Sequence, residues 1–389
     1  MIMIILFEIL LLLLCAAVVN SFFIYPLITY LMSKKNTGRV TVHGFEPTIS
    51  VLIAAYNEEK VIEERINNLS MLNYDMDKVE VWVGSDKSTD KTNEILLEQK
   101  NKFSWLNFYV AESRRGKAGI LNDLISKAKN DIIVFTDANT EFHPDVLKNL
   151  VEDFVDEKVG GVCGRLVLID NENSKSEGVE ETQYWKYETI IKRAEGKSGI
   201  MLSANGGIFA IRKELYKDIP VVNAVTDDLF ISLSVIAQNY KFTYREDAIG
   251  YEGTGINLTS EYKRKVRFGA TNFQTLIYFK KLLSFKNLKI AYAFFSHKVT
   301  RWFLPALLIS IFLLSWFLSD HVYIIQQFLL IQTAFYLLAF CGFLLSLVKI
   351  RITIFSLPYF FIVSNLAIVE GFIKFIKKEH SVIWESTER

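Results

Sequence analysis

Four stretches of this 389-residue chain contain no Asp, Glu, Lys or Arg: residues 9–33, 302–319, 321–348 and 352–369. An α-helix needs roughly 18–20 predominantly apolar residues to cross a hydrocarbon core about 30 Å thick. Each stretch reaches that length. The sequence therefore excludes a purely soluble protein and predicts an integral membrane protein.

The rest of the chain is rich in charge but nearly balanced. It has 44 Lys and Arg against 43 Asp and Glu, a net charge of +1, although 51% of all residues are hydrophobic. This balance argues against a nucleic-acid partner, because such proteins normally carry a basic excess. The three cysteines, Cys15, Cys163 and Cys341, form neither a disulfide framework nor a zinc pattern. A soluble part that faces the reducing cytosol is the simple interpretation.

The N-terminal apolar run, residues 1–33, is predicted to be a retained transmembrane span. A signal peptide is the alternative, but no Lys or Arg precedes this run and it exceeds a signal core of about 7–15 residues. Lys34, Lys35 and Arg39 follow it. Because basic residues flank the cytoplasmic side of short spans, we expect the next domain in the cytosol, beneath a bacterial-type cell membrane.

The predicted C-terminal membrane region covers residues 299–376. Its first two uncharged stretches are joined by a short turn without Lys or Arg, and Lys349 and Arg351 follow them. This pattern predicts a helical hairpin with its tip outside. The last stretch contains Pro358, so a bent or partly re-entrant helix is an alternative there. The side on which the tail, residues 377–389, lies is left open.

Residues 272–298 are predicted to form an interfacial amphipathic region. The segment 273–290 mixes Phe, Leu, Ile and Tyr with Lys280, Lys281, Lys286 and Lys289. This composition suits a helix that lies in the membrane interface with its lysines toward anionic headgroups. A solvated amphipathic linker is the alternative.

Residues 47–271 are predicted to be an α/β domain, because short β-rich runs alternate with helical patterns. The predicted strands cover residues 49–55, 79–83, 108–110 and 131–135, and the helices between them cover 58–69, 90–100 and 117–129. This alternation indicates a parallel sheet with helices on both faces. Ligands of such sheets bind beyond the carboxyl ends of the strands.

Polar residues gather after each of these four strands, in the segments 55–59, 84–90, 114–118 and 136–140. Taken singly, each has a structural explanation. Ser88, Thr89 and Asp90 are typical of a helix N-cap, and Glu58 and Glu59 suit the first turn of a helix. Four such segments in order, each after a strand, are more specific for a ligand site.

In these motifs the chain resembles the membrane-bound family 2 glycosyltransferases, which include cellulose, hyaluronan and poly-N-acetylglucosamine synthases. The resemblance implies a Rossmann-like GT-A domain that binds a nucleotide-diphosphate sugar and is flanked by transmembrane helices. It also implies that Tyr56 and Glu58 lie near the nucleoside and that Asp86 accepts a hydrogen bond from uracil. Lys117 would reach toward the nucleotide and diphosphate.

Asp137-Ala138-Asn139 stands where the family has its Asp-any-Asp metal motif. The resemblance implies that Asp137 and Asn139 hold Mg²⁺ or Mn²⁺, whose positive charge stabilises a departing diphosphate. Asn139 is a departure from the family pattern and is expected to weaken the metal site without abolishing it. A turn-forming pair without a metal is the alternative.

Thr226-Asp227-Asp228 matches the family's Thr-Glu-Asp segment, which puts Asp228 at the general-base position. A carboxylate can take the proton of an attacking hydroxyl, and a neighbouring acid such as Asp227 raises its proton affinity. The two acids could instead cap a helix over residues 229–238. The two roles are compatible.

Residues 264–268 stand where processive relatives have a Gln-any-any-Arg-Trp signature. Arg267 keeps the arginine that would pair with the diphosphate. Arg264 and Phe268 occupy the Gln and Trp positions of this signature, so the resemblance implies that they also lie in the donor site. Because their residue types differ from the signature, the case for a long-chain polymerase is weaker. A basic interfacial patch is the alternative.

In the relatives the loop that corresponds to residues 203–207 lies near the acceptor, so the resemblance implies that Asn205 and Gly206 lie near the incoming sugar. Small residues there permit close approach. Trp185 could line a sugar path, and core packing explains it equally well.

The resemblance implies a membrane-embedded inverting glycosyltransferase that uses a UDP-sugar and Mg²⁺ or Mn²⁺. The acceptor would be a growing polysaccharide or a lipid-linked glycan among membrane lipids, and export could need a partner or an oligomer. Transfer of a single sugar to a polyprenyl phosphate or glycolipid is the alternative within the same enzyme class. A non-catalytic subunit of an export complex is another. A transporter is disfavoured, because the spans lack charged residues for a solute path. The donor sugar, the linkage and processivity are left open.

Overall fold

The computed structural model describes residues 1–35, 44–169, 179–253 and 258–379. Arg39 and most of the predicted tail lie outside these residues. The chain divides into two compact units. The sheet unit contains 29–178 and 185–256, and the helical unit contains 1–28, 179–184 and 257–379.

The sheet unit is built on an eight-stranded mixed sheet in the described part of the chain, with the order β3-β2-β1-β4-β7-β6-β8-β5. The first four strands in this order are parallel, β7 runs antiparallel to β4 and β6, and β5 runs antiparallel to β8. In chain order the strands are β1 (Ile49–Ala55), β2 (Val79–Ser85), β3 (Leu106–Val110), β4 (Ile132–Asp137), β5 (Thr140–Phe142), β6 (Val159–Ile169), β7 (Phe209–Arg212) and β8 (Lys241–Gly253).

Short 3₁₀ or π-helical segments lie between several of the helices, and the π-helical segment Asn20–Ile24 joins α1 and α2 into one continuous helix. The described α-helices are α1 (Ile2–Val19), α2 (Tyr25–Lys35), α3 (Ile62–Ser70), α4 (Thr92–Lys102), α5 (Gly116–Lys127), α6 (Val146–Val151), α7 (Val179–Lys197), α8 (Asp227–Ala237), α9 (Leu258–Phe279), α10 (Leu288–Ala293), α11 (Thr300–Trp302), α12 (Leu304–Leu318), α13 (Tyr323–Leu347) and α14 (Thr353–Lys377).

The centre of the sheet confirms the predicted α/β architecture. Strand β1 lies between β2 and β4, and all seven of its residues are buried. Uninterrupted apolar strands of this kind are typical of parallel sheets with both faces covered. Ile62 and Ile66 of α3 belong to the same core as Val51 and Ile53. Helix α3 begins four residues later than predicted, because residues 58–61 form a turn instead.

The register of the central strands brings their carboxyl ends to one edge. Ala55 pairs with Ser85, and Ala54 pairs with Asp137. The backbone N–H of Asp86 continues this pairing by donating to the carbonyl of Ala55 at 2.8 Å. The polar segments that follow β1, β2 and β4 therefore start from the same edge of the sheet.

The candidate membrane spans lie in the helical unit, except for the last residues of the first one. Among the described residues, three helices are long and apolar enough to cross a bilayer: Ile2–Lys34, Tyr323–Leu347 and Thr353–Lys377. A fourth candidate is a pair of helices, Phe285–Trp302 and Leu304–Leu318, with a bend of 71° between them. Helix α12 alone has 15 residues and is about 22 Å long at 1.5 Å per residue. The predicted span 302–319 is thus too short to cross a bilayer without its bent neighbour.

The predicted interfacial helix is interrupted. Helix α9 ends at Phe279, two short 3₁₀ turns follow, and α10 begins at Leu288 with the side chain of Asn287 accepting from the backbone N–H of Ile290. Helix α9 also runs through the predicted domain boundary at residue 271. The whole of α9 belongs to the helical unit.

Helices α9 and α14 approach each other through glycines. A Cβ added at Gly371 would lie 2.5 Å from the carbonyl oxygen of Val266 and 2.8 Å from the Cα of Gly269. Polar contacts flank this crossing, with the Tyr262 hydroxyl donating to Glu370 at 2.8 Å. Small residues allow such close packing between apolar helices.

Gly371→Ala is expected to destabilise the helical unit, because the added methyl would meet backbone atoms that cannot move aside. The expected cost is about 1–3 kcal/mol, measurable as a lower melting temperature of the purified protein in detergent. Gly253→Ala is the matched control, since no described atom lies within 4 Å of its Cβ position. Equal melting temperatures for the two variants would contradict the close approach of α9 and α14.

Candidate functional site

The carboxylate of Asp86 organises the loop between β3 and α5. Its side chain is fully buried and accepts from Arg114 Nε at 2.9 Å and from the backbone N–H groups of Arg115 and Gly116 at 2.6 and 3.1 Å. Gly116 has φ +72°, a conformation that glycine adopts without strain. The structure therefore places Asp86 at the start of α5, and its contact with uracil stays a prediction.

Tyr56 and Glu58 lie on the adjoining loop after β1. The guanidinium carbon of Arg114 is 3.2 Å from the centre of the Tyr56 ring. The backbone N–H of Glu58 donates to Thr92 Oγ1 at 2.9 Å, which fastens this loop to the start of α4. Tyr56 and Asp86 therefore share Arg114 as a neighbour.

Lys117, in the first turn of α5, links two of the predicted motifs. Its Nζ lies 2.8 Å from Asp137 Oδ1 and 2.9 Å from Asp227 Oδ2. Burial lowers the pKa of the ammonium group, but the two carboxylates outweigh burial and hold the pKa above its ordinary value. One charged lysine thus joins the end of β4 to the beginning of α8.

Gly206 marks the point where these groups converge. A Cβ added there would lie 3.5 Å from Asp228 Oδ2, 3.8 Å from Asp137 Oδ2 and 3.9 Å from Lys117 Nζ. The metal motif, the predicted base and the lysine therefore line one cleft. A glycine at its wall leaves room beside all three charged groups.

Asp228 has two structural roles in the first turn of α8. Its Oδ1 accepts from the backbone N–H of Leu229 at 2.6 Å, while Oδ2 is the atom nearest the Gly206 position. Burial and the charge of Asp227 raise the pKa of Asp228 to about 6, and Lys192 and Lys117 oppose this rise. The helix begins two residues earlier than predicted, so both acids lie in its first turn after the N-cap Thr226, and the role of Asp228 as a base stays a prediction.

Asn205 is held by β6 and α7. Its Nδ2 donates to the carbonyl of Gly164 at 2.9 Å, its backbone N–H donates to Cys163 Sγ at 3.2 Å, and its Oδ1 accepts from Lys192 Nζ at 2.6 Å. Lys192 is buried, and the half-buried ring of Trp185 has its centre 5.9 Å from Lys192 Nζ. The buried position of Lys192 was not predicted, because a lysine within a polar helix gives no sign of burial.

Asn139 bonds to Glu252 on the neighbouring strand, a residue that was also not predicted to lie at the site. Its Nδ2 donates to Glu252 Oε1 at 2.9 Å, and the pairing of Thr140 with Glu252 between β5 and β8 brings the two together. This bond fixes the amide nitrogen, so the carbonyl oxygen is the atom that could bind a metal. Within the described ranges, no three His, Cys, Asp or Glu side chains form a group that could hold a metal ion.

Side chains of α3 hold the turn that carries Asp137 through hydrogen bonds. Buried Arg65 donates to Thr136 Oγ1 at 3.0 Å and to Asn68 Oδ1 at 2.6 Å. Asn68 in turn bonds both backbone groups of Phe142, at 2.8 and 2.9 Å. Arg65 and Asn68 therefore brace the metal motif on both sides. The bonds to Thr136 and Phe142 join residues more than 70 positions apart in the sequence, so local patterns carry no signal for them.

Arg264, Arg267 and Phe268 lie on α9, which belongs to the helical unit. The two guanidinium carbons are 6.0 and 5.5 Å from the centre of the Phe268 ring. The side chains form one basic and aromatic cluster on this helix. Their part in donor binding stays a prediction.

Comparison with known proteins identifies the sheet unit. Residues 50–219 match the family model "Glycosyl transferase family 2". Poly-beta-1,6-N-acetyl-D-glucosamine synthases of Staphylococcus aureus (strain COL) and Staphylococcus epidermidis are 27% and 26% identical over 232 residues. The matched region is 59% of this chain and 55% of each relative, so the chain spans about half the length of these curated relatives.

A solved structure shares the fold. Mannosyltransferase PcManGT from Pyrobaculum calidifontis, in complex with GDP-Man and Mn²⁺, aligns over 96% of this chain and 99% of its own, with a TM-score of 0.69 and 20% identity. At this identity the likeness establishes the fold. With the four strand-end motifs at one edge of the sheet, these matches confirm the predicted GT-A architecture. Residues 50–219 of the chain form a glycosyl transferase family 2 domain.

Proposed function

We propose that this protein is a membrane-embedded inverting glycosyltransferase that transfers a sugar from a UDP-sugar to a growing polysaccharide or a lipid-linked glycan. The observation that carries the proposal is the convergence of Asp137, Lys117 and Asp228 around Gly206. This cleft combines the carboxylate oxygens of two aspartates, the ammonium group of Lys117 and a wall at Gly206 that carries no side chain. The candidate spans and the basic residues after the first of them support a catalytic domain on the cytosolic side.

Asp137 and Asn139 would hold Mg²⁺ or Mn²⁺. Carboxylate and amide oxygens are suitable ligands for these hard cations. The bond from Asn139 to Glu252 supports the fit, because it leaves the amide oxygen as the ligand atom. A cation bound there would neutralise charge on the departing diphosphate. Lys117 adds a second positive charge beside Asp137.

Asp228 is the proposed general base. It takes the proton of the acceptor hydroxyl as that oxygen forms a bond to the anomeric carbon. The bond between this carbon and the diphosphate breaks on the opposite face, and the diphosphate leaves with the electron pair. A base with a pKa of about 6 is largely ionised at neutral pH and is stronger than an ordinary aspartate.

Other residues would position the two substrates. Asn205, Gly206 and Trp185 are proposed for the acceptor, because the bonds from Lys192 and β6 hold this loop against the cleft. Further residues are proposed for the donor: Tyr56, Glu58, Asp86, Lys117, Arg264, Arg267 and Phe268.

The staphylococcal relatives, named as polysaccharide synthases, favour a polymeric product. Phe268 in place of a tryptophan favours the alternative, transfer of one sugar to a lipid. Sizing the product made from a radiolabelled UDP-sugar separates these alternatives, since a ladder indicates a polymer and a single extracted band indicates a lipid product. A protein that releases no UDP from any donor sugar in the presence of Mn²⁺ would be a non-catalytic subunit.

Asp228→Asn is expected to reduce UDP release by at least about 100-fold, because the base is lost. Donor affinity, measured by calorimetry, is expected to stay within a few-fold of the wild-type value. Asp77→Asn is the matched control, since Asp77 is exposed in the turn before β2, at the opposite end of that strand from the cleft. Unchanged turnover, or lost donor binding, would overturn the base assignment.

The pH dependence of kcat/KM is expected to show an acid limb near pH 6. The active form of Asp228 is ionised, and its raised pKa means that it protonates at a higher pH than an ordinary aspartate. Asp227→Asn removes a negative charge that raises this pKa, so the limb should move to lower pH. A limb that stays in place, or moves upward, would contradict the coupling between the two acids.

Asp137→Ala is expected to abolish the part of donor affinity that depends on Mn²⁺, measured by calorimetry with and without the metal. Asn139→Asp is the complementary variant, because it restores a second negative ligand and should tighten Mn²⁺ binding. If Asn139→Asp left the Mn²⁺ affinity unchanged, residue 139 would not be a ligand.

A further inference from the structure

The break between α9 and α10 has an unusual surface. Residues 280–289, here called the basic turn, comprise the 3₁₀ turns Lys280–Leu283 and Phe285–Asn287 and the first two residues of α10. Two short 3₁₀ turns in series replace the continuous helix here. The sequence analysis predicted one helix through this segment, and the interruption changes how its residues are presented.

Both cations and large apolar side chains of the basic turn face outward. Lys280, Lys281, Lys286 and Lys289 are exposed. Phe285 is 91% exposed and Leu288 is 64% exposed. An aromatic ring left in water forgoes the free energy of burial, roughly 25 cal/mol per Å² of apolar surface. Burial of this ring against an apolar partner would therefore be favourable.

The charge of the surrounding sequence limits what that partner can be. No Asp or Glu occurs between Glu261 and Asp320. Four exposed lysines within ten residues therefore attract an anionic partner, with no acidic residue nearby in the sequence to offset them. Phe285 and Leu288, which stand among these lysines, require an apolar region next to the anionic groups.

The same unit supplies the reason for choosing a lipid. It contains two of the three candidate spans and most of the first, and Phe285 opens the bent apolar pair that is the fourth candidate. A segment tethered in this way is held near a bilayer, where headgroup phosphates and acyl chains lie side by side. Aromatic and lysine side chains are favoured at that level of a membrane.

We propose that the basic turn binds anionic phospholipid, with the four lysines on headgroup phosphates and Phe285 and Leu288 inserted at the top of the acyl chains. This binding uses no residue of the nucleotide-sugar site. It would fix the height of α9 relative to the membrane surface, independently of the donor or acceptor.

The test compares the full-length protein in two kinds of nanodisc, phosphatidylcholine alone and a mixture with about 30% phosphatidylglycerol, without donor. Hydrogen exchange of the amides in residues 280–289 is measured by mass spectrometry. We expect exchange at least three-fold slower in the anionic discs. The triple variant K280Q/K281Q/K286Q is expected to remove the difference between the discs. F285S is expected to speed exchange in both.

The matched control is K129Q/K158Q/K217Q, which removes three exposed lysines of the sheet unit and should behave as the wild type. Equal exchange of the wild type in both discs would overturn the proposal, and so would a lipid response that survives in K280Q/K281Q/K286Q. Protection by polyglutamate in phosphatidylcholine discs that matches the lipid effect would assign the surface to an acidic protein and also overturn it. None of these outcomes depends on UDP release, so the proposed function is tested separately.

Discussion

The ammonium group of Lys117 is the interaction on which the site depends. It lies between Asp137 at the end of β4 and Asp227 at the start of α8, within 3 Å of both carboxylates. Without this charge, the acids that approach Gly206 would repel one another in a partly buried cleft. An uncompensated charge in such a place is costly. The lysine therefore lets two distant parts of the chain present carboxylates to one space.

The sheet determines where this cleft can form. Parallel pairing puts the carboxyl ends of β1, β2 and β4 at one edge, and the loops that follow them carry the polar motifs. The other wall comes from the loop around Asn205, which β6, α7 and α8 hold through hydrogen bonds from or to Gly164, Lys192 and Ser232. One wall of the cleft thus comes from the parallel part of the sheet, whose strand ends carry the motifs predicted for the donor. The other wall comes from the mixed part of the sheet, on the side of the predicted base.

Patterns that are local in sequence predicted much of this arrangement. Strand β1 has the predicted bounds, and the strand-end motifs occur in the predicted order, because apolar periodicity and turn residues act over a few positions. Arg65, Lys192 and Glu252 escaped prediction, since their roles arise from contacts between segments far apart in the chain. The interruption at residues 280–289 was missed for a related reason. Composition indicates that a segment is amphipathic, but backbone geometry decides whether it is one helix.

In the proposed reaction, the hydrogen bond from the Leu229 amide to Asp228 would link proton transfer to the backbone. An ionised carboxylate at a helix start interacts favourably with the partial positive charge there, and a neutral carboxyl group loses most of that attraction. Each proton that Asp228 accepts would therefore loosen the beginning of α8. In the proposed reaction the helix would regain this stabilisation when the proton departs to solvent, and this gain would favour regeneration of the base between turnovers.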